Sequence, residues 1–160
     1  MDLEFKVCSR CGLGLRRATV SLQGSGTGFS LTVSGIPVYA CDGCGTSLVF
    51  YEEWRTVDEI VTAVIEALDS LAPGSFGSPL HSSRQCVKCK ANLPREIDKR
   101  KARFTASARM QPDGNLIGIQ YQGDSLTCPT CARRYPYITP VTYHEIAQTI
   151  RRAASFYLRG

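Results

Sequence analysis

Alternating apolar and polar positions occur twice along this chain, each time on both sides of a turn. The first stretch surrounds the glycine cluster at 24–28, and its apolar positions are Ala18, Val20, Leu22, Phe29, Leu31 and Val33. The second surrounds Pro112-Asp113-Gly114, with apolar positions at Phe104, Ala106, Ala108, Met110, Ile117, Ile119 and Tyr121. A period of two is typical of half-buried strands, and glycine or proline between two such runs favours a hairpin. The sequence therefore predicts two β-hairpins, with one more short strand over 36–40.

After each hairpin the apolar period changes to that of a helix. The first run is Val57, Ile60, Val61, Val64, Leu68 and Leu71, and the second is Ile146, Ile150, Ala154 and Tyr157. Each run is preceded by a Thr-x-x-Glu sequence, at 56–59 and 142–145, which is typical of a capping box at a helix start. Pro73-Gly74 ends the first run. Residues 73–85, rich in Gly, Ser and Pro, are predicted to form a flexible linker.

All eight cysteines fall in pairs of the form Cys-x-x-Cys, and two pairs flank each hairpin. Each repeat has about 70 residues, a size at which a hydrophobic core seldom supplies more than roughly 3–5 kcal/mol. A structural zinc site adds on the order of 10–16 kcal/mol of binding coupled to folding. Because each repeat is complete only with its own two pairs, we expect two Zn²⁺ ions per chain. Their ligands are Cys8, Cys11, Cys41 and Cys44 in one site, and Cys86, Cys89, Cys128 and Cys131 in the other.

Two other uses of the cysteines compete with zinc binding. The sequence CPTC at 128–131 resembles a redox pair, but Pro136 and Pro140 interrupt the helix that such a site needs to lower a thiol pKa. Four thiolates also suit iron, and the spacing of the first two pairs resembles that of rubredoxin. An iron electron carrier therefore stays a minor alternative.

These elements predict a small, metal-stabilised α+β fold class. It would contain two tandem zinc ribbons, each an antiparallel hairpin with Cys-x-x-Cys knuckles followed by one helix. The predicted domains are 1–72, a linker over 73–85, and a second, basic ribbon with its helix over 86–160. We expect the two halves to fold separately when the chain is cut near Ser78.

The segments CSRCG at 8–12 and SGIPVYACDGCG at 34–45, followed by a helix, resemble the YgiT/MqsA-type zinc finger of bacterial antitoxins. The resemblance covers residues 5–72, and Gly35-Ile36-Pro37 is its most particular feature. It implies that Cys8, Cys11, Cys41 and Cys44 bind zinc and that this half contacts a protein, as the zinc domain of such antitoxins contacts the toxin. Residues 86–160 resemble no family and replace the helix-turn-helix domain of those proteins with a second ribbon.

Charge divides the chain unevenly. Residues 1–80 hold 5 basic and 9 acidic side chains, whereas residues 81–160 hold 14 basic and 5 acidic ones. A zinc ion with four thiolates carries a charge of −2, so some of the basic side chains offset thiolate charge. The others are candidates for contact with nucleic acid, the full set being Lys99, Arg100, Lys101, Arg103, Arg109, Arg133 and Arg134.

The sequence contains no Ser/His/Asp arrangement. A catalytic zinc keeps one coordination position for substrate or water, whereas four cysteines fill each predicted site. The sequence therefore predicts a non-enzymatic adaptor that binds a protein partner, with nucleic-acid binding through the basic half as the alternative. The start lacks the layout of a signal peptide and no segment is apolar enough to span a membrane, so we expect a cytoplasmic protein. The broad apolar stripe of helix 57–71 is a candidate seam for a homodimer.

Overall fold

The computed structural model describes residues 7–8, 10–44, 48–50, 53–71, 85–94, 96–110 and 114–158. These residues form six strands and two helices. In chain order they are β1 (Arg16–Gly26), β2 (Phe29–Ala40), β3 (Leu48–Phe50), α1 (Glu53–Leu71), β4 (Asp98–Met110), β5 (Asn115–Thr127), β6 (Arg134–Pro136) and α2 (Pro140–Leu158). The antiparallel sheet with two helices confirms the α+β class and both predicted hairpins.

The four long strands form one antiparallel sheet in the order β1-β2-β5-β4. The two hairpins meet at its centre, where Thr32 of β2 lies opposite Gln120 of β5. The short strand β3 pairs with the end of β2, and β6 pairs with the end of β5. A single sheet therefore contains the strands of both halves of the chain.

The repeat of the sequence becomes an approximate twofold symmetry in the structure. Both helices have 19 residues, and Pro140 of α2 lies 87 positions after Glu53 of α1. The same offset exchanges the pair Thr32–Gln120 with the pair Val33–Ile119, which is its neighbour in the register. The axis therefore passes through the centre of the β2–β5 pairing.

Both helices cover the same side of the sheet, and each packs on a strand from the other half of the chain. α1, from the first half, packs on β4 of the second half, while α2 packs on β1, and the helices also touch each other. One core cluster results, to which both halves contribute. Its fully buried side chains include Val33, Ile36, Val38, Val57, Ile60, Val64, Leu68, Ile117, Ile138 and Ile146.

This shared core differs from the two separate ribbon units over 1–72 and 86–160. Periodicity reports that one side of each strand is buried, but it does not report which strand lies beside it. Here the inner strand of each hairpin pairs with the inner strand of the other, which merges two small cores into a larger one.

Most of the predicted linker, 73–84, lies outside the described residues. The apolar stripe of α1 is buried in this core, with Val57, Ile60, Val64 and Leu68 at 0% exposure, so these side chains are not available as a dimer seam.

The predicted strand over 36–40 is the second part of β2. The pairing with β1 shifts between Val20 and Leu22, which leaves Ser34 and Gly35 opposite one residue of β1. Gly35 has a φ of 78° in this bulge. The extra residue moves the buried positions from Phe29, Leu31 and Val33 to Ile36, Val38 and Ala40. The bulge thereby keeps all six apolar side chains on the helix-covered side.

Both helices start three or fewer residues before the predicted capping boxes. α1 begins at Glu53, so Thr56 lies inside its first turn. α2 begins at Pro140, and the Oγ1 of Thr139 accepts a hydrogen bond of 3.2 Å from the amide of Thr142. Thr139 is thus the N-cap and Pro140 the first helical residue, a combination that proline favours because its φ is already helical. No helix in the described part of the chain has the length and apolar character needed to cross a membrane.

Candidate metal centres and polar sheet face

The first cysteine cluster lies at the open end of the first hairpin. Cys8 and Cys11 precede β1, and Cys41 and Cys44 follow β2. The Sγ atoms of Cys8 and Cys44 are 3.6 Å apart and those of Cys11 and Cys41 are 3.3 Å apart. All four Sγ atoms lie within 4.8 Å of one another. The structure therefore brings together the four side chains predicted for the first site.

The second cluster repeats this arrangement in the other half. Cys86 and Cys89 precede β4, and Cys128 and Cys131 follow β5. The Sγ atoms of Cys86 and Cys131 are separated by 3.5 Å, and those of Cys89 and Cys128 by 3.4 Å. Because β2 and β5 run antiparallel, their carboxyl ends point in opposite directions. The two clusters consequently lie at opposite ends of the sheet.

Both clusters have the donors and the dimensions of a metal site. A tetrahedral zinc with Zn–S bonds of about 2.3 Å requires sulfur atoms about 3.8 Å apart, close to the distances in both clusters. One ion with four thiolates has no position left for a substrate or a water molecule. The two clusters can therefore each hold a metal ion in a closed coordination sphere.

The backbone of the knuckles turns each pair of sulfur atoms toward the metal position. In the first centre the amide of Cys8 donates to the carbonyl of Leu13 at 2.8 Å, and the amide of Gly12 donates to the carbonyl of Cys8 at 2.9 Å. The same two bonds recur at Cys86 and at Cys128. This turn requires a positive φ after the second cysteine, and the residues there are Gly12 at 74°, Lys90 at 64° and Ala132 at 62°.

Tyr135 of β6 distinguishes the second centre. Its hydroxyl oxygen lies 3.1 Å from the Sγ of Cys86 and accepts a hydrogen bond of 3.0 Å from the amide of Val87. The hydroxyl can donate to the sulfur, and this bond together with amide N–H groups outweighs burial and lowers the pKa of Cys86 to about 5. Tyr135 thus favours the thiolate that a metal requires. Hydrophobic periodicity contains no signal for this role of Tyr135.

The seven basic residues proposed for nucleic acid do not form one cluster. Lys101 is ion-paired with Asp124, and the guanidinium of Arg133 lies 5.4 Å from the centre of the Tyr135 ring. The amide of Arg100, the hydroxyl of Thr127 and the charge of Arg134 lower the pKa of Asp98. The side chain of Lys99 lies outside the described part of the structure. The remaining two arginines, Arg103 and Arg109, are exposed on β4.

Arg103 and Arg109 belong to a broader surface that crosses both halves. It is the side of the sheet turned away from the helices, called here the open face. Its polar members are Arg17, Thr19, Ser21, Gln23 and Ser25 of β1, Ser30, Thr32 and Ser34 of β2, Gln120 and Gln122 of β5, and Arg103, Thr105, Ser107 and Arg109 of β4. Pro37 and Tyr39 of β2 and the exposed Leu116 of β5 lie on the same side. The alternation pattern predicts that the polar residues of each strand are exposed, but only the β2–β5 pairing shows that they form one surface.

A groove lies between α1 and β4, with a volume of about 590 Å³. Asp58, Glu59 and Glu66 of α1 place three carboxylates along it, and Arg109 of β4 also lines it. Asp58 is ion-paired at 3.4 Å with Arg151 of α2. Ala63 and Met110 add apolar surface. Such a groove suits a segment that carries positive charge beside an apolar side chain.

Comparison with protein-family models, with curated proteins and with solved structures finds no match for this chain. The resemblance of residues 5–72 to the YgiT/MqsA-type zinc finger therefore stays a prediction.

Proposed function

We propose that this chain is a non-enzymatic adaptor, held by two structural zinc ions, that binds a basic segment of a protein partner. The observation that carries the partner is the groove between α1 and β4, with its three carboxylates and its apolar surface. The acidic front half of the sequence supports the same choice, because opposite charge speeds and orients encounter with a basic partner.

The zinc ions support the fold in this proposal and take no part in chemistry. Four thiolates around each metal leave no open position, which is the arrangement of structural zinc sites. The centres stand at the two ends of the sheet, where each joins the start of an outer strand to the end of an inner one. Zinc would therefore hold each hairpin closed at the end opposite its turn.

Metal analysis tests the scaffold. We expect two zinc ions per chain in protein purified without added metal, and a colourless solution. Replacing Cys41 with Ser should remove one ion, because the first cluster loses a ligand. A zinc count near one in the unaltered chain would overturn the assignment of two zinc sites. A red protein that contains iron would overturn it too and would support the electron-carrier alternative.

Photo-crosslinking from the groove tests the adaptor. A photoreactive amino acid at Thr62, which lines the groove, should capture a protein in cells of the native host. The product should survive nuclease and disappear on protease treatment. Glu66→Lys in the same chain should reduce its yield severalfold, because the substitution reverses one of the three groove charges.

The matched control places the same photoreactive residue at Arg152, an exposed position of α2. It should give no such product. If Thr62 and Arg152 capture the same proteins, or if Glu66→Lys leaves the Thr62 product unchanged, the groove is not the docking site.

A further inference from the structure

The open face is a wide polar surface, and the structure gives its dimensions. Neighbouring strands lie about 4.8 Å apart, so the outer strands β1 and β4 are separated by about 14 Å across β2 and β5. Arg17 is on β1 at one edge, and Arg103 is on β4 at the other. Along the strands these two arginines lie far apart, because Arg103 is in register with Ser25 of β1, eight residues from Arg17. At the centre, Thr32 lies beside Gln120. The neighbouring exposed side chains are mostly hydroxyls and amides, with Leu116, 57% exposed, opposite Arg109.

Cations outnumber carboxylates on this face, where Lys101 and Asp124 follow the same alternation as Arg103 and Gln122. Arg17, Arg103 and Arg109 also lie on this face. Across the four long strands, all of which are described, the carboxylates are Asp98 and Asp124. Asp124 is ion-paired with Lys101, and Asp98 accepts hydrogen bonds from the amide of Arg100 and from Thr127. A polyanion would therefore meet cations and neutral hydrogen-bonding groups on this face.

Aromatic rings are turned away from the centre of the open face. Phe29 and Tyr121 stack on each other at 6.0 Å between ring centres on the helix-covered side, where both are buried. Tyr39, at the end of β2 near Arg17, is half-buried. Proteins that bind single strands stack successive bases on exposed aromatic rings. The open face lacks such a row along its four described strands.

Duplex RNA suits a face of arginines, hydroxyls and amides without a row of aromatic rings better than duplex DNA does. The A-form minor groove is wide and shallow, and proteins recognise it through ribose 2′-hydroxyls and the phosphates on either side. The major groove of B-DNA, about 12 Å wide, admits a helix or a two-stranded ribbon, and a four-stranded sheet is wider than that. Side chains that both donate and accept, such as Thr32 and Gln120, suit a 2′-hydroxyl, which also does both.

We infer that the open face binds the backbone of double-stranded RNA. Arg17 and Arg103 contact phosphates at the two edges, and the central hydroxyl and amide side chains, Thr32 and Gln120 among them, contact 2′-hydroxyls. Binding of this kind does not depend on base sequence. Arg109 belongs to this face and also lines the α1–β4 groove, but the contacts inferred here use Arg17, Arg103, Thr32 and Gln120. The inference therefore does not rest on the adaptor proposal and can fail without it.

Fluorescence anisotropy with the zinc-loaded full chain tests this inference. The probes are a mixed-sequence 20-base-pair RNA duplex, the DNA duplex of the same sequence, and one of the RNA strands alone. We expect the RNA duplex to bind most tightly, with an affinity that falls as salt rises because phosphate contacts release counterions. Arg103→Glu should weaken binding about tenfold and reduce the salt slope by about 1.

Two further variants separate the effect of net charge from the effect of the central hydroxyl of the open face. Arg152→Glu on α2 makes the same change of charge on an exposed residue of the helical layer, and it should leave RNA affinity within about twofold. Thr32→Val removes a central hydroxyl without changing charge or strand propensity. It should reduce the preference for RNA over DNA while the salt slope is unchanged. Zinc content and circular dichroism of every variant confirm that the fold is intact.

Several outcomes overturn the inference. One is the absence of salt-dependent binding to the RNA duplex. A second is equal or tighter binding of the DNA duplex or the single strand. A third is an Arg152→Glu variant as weak as Arg103→Glu, which would mean that net charge alone governs binding. If no nucleic acid binds at all, the arginines of β4 serve to keep an edge strand from pairing with other chains.

Discussion

At the scale of single residues, the two metal centres use one backbone turn with different side chains. Gly12 adopts a positive φ in the first centre without strain, whereas Lys90 and Ala132 adopt it in the second. A left-handed backbone costs an L-residue roughly 1–2 kcal/mol. The second centre retains this strain because the turn aims its sulfur atoms at the metal position.

Ala132→Gly should therefore stabilise the zinc-loaded protein, by about 0.5–1 kcal/mol once the added freedom of glycine in the unfolded chain is subtracted. Urea denaturation at fixed free zinc measures the change. Ala108→Gly, in the middle of β4, is the control and should destabilise by about 0.5–1 kcal/mol, as glycine does in a strand. Equal losses at both positions would show that Ala132 is not strained.

Tyr135→Phe should make the second centre release its metal at a higher pH. The Tyr135 hydroxyl is the largest influence that lowers the pKa of Cys86 to about 5 from a usual value of 9.0. A lowered pKa contributes stability that is present above about pH 9 and is lost as the pH falls through about 5. Without the hydroxyl the thiolate is protonated earlier during acidification, and protons displace the metal.

A chromophoric chelator that reports zinc release during stepwise acidification measures this shift. Tyr137→Phe is the control, since Tyr137 lies two residues further along the chain and is not among the groups that shift the Cys86 pKa. The idea fails if Tyr135→Phe and Tyr137→Phe release zinc at the same pH as the unaltered protein.

At the scale of elements, the bulge at Gly35 decides which side of β2 is buried. A Cβ atom at Gly35 would lie 2.8 Å from the carbonyl oxygen of Leu116, a backbone atom of β5 that cannot move away cheaply. Its φ of 78° disfavours other residues independently. The bulge therefore depends on glycine both for its own conformation and for the close approach of β2 and β5.

Gly35→Ala should destabilise the protein by about 2–4 kcal/mol, the sum of left-handed strain and overpacking. Gly114→Ala is a matched control, because Gly114 also has a positive φ, 69°, but a Cβ there meets nothing within 4 Å. It should cost about 1–2 kcal/mol. Urea midpoints compare the two, and similar losses would mean that the contact with Leu116 relaxes without cost.

The sequence predicted most elements, because their signals are local. Alternation located both hairpins, and Cys-x-x-Cys pairs located the knuckles. The helix starts were displaced because Thr-x-x-Glu also occurs inside a first turn, while the cap at Thr139 is a Thr-Pro pair. At the bulge the sequence predicts the start of a new strand, since a change of phase in the alternation looks the same in both cases.

At the scale of the whole molecule, the cysteine clusters were predictable and the arrangement of the halves was not. Four cysteines around each hairpin define their own group, so the repeat alone assigned Cys8 with Cys44 and Cys86 with Cys131. The pairing of β2 with β5 and the exchange of helices depend on contacts between residues about 90 positions apart. The open face follows from that pairing, which is why its β1 and β2 residues were not recognised as part of a surface.

Cutting the chain at Ser78 should now produce two fragments that need each other. Each fragment alone exposes the inner strand and the helix that would pack on the other half. We expect separate fragments to bind zinc but to be aggregated or poorly helical. Mixing them should produce a one-to-one complex with the circular dichroism of the intact chain.

Size-exclusion chromatography with light scattering measures this complex. Fragments that are each monomeric and fully helical would show that the shared core is dispensable, as the sequence first predicted. Fragment 1–78 can also be examined alone at high concentration, because the approximate twofold symmetry allows a second copy to take the place of the missing half.

The central β2–β5 pairing also sets the order of events during biosynthesis. Asn115, where β5 begins, follows Ala40, where β2 ends, by 75 positions. At roughly 5–20 residues per second, the ribosome needs about 4–15 s to supply the partner of β2. The four cysteines of the first cluster have all been synthesised once Cys44 is added, long before that moment. The apolar side of α1 stays uncovered until β4 has been made. Early zinc capture would thus protect a growing chain that cannot yet bury its core, and zinc starvation should harm new synthesis before it harms protein already made.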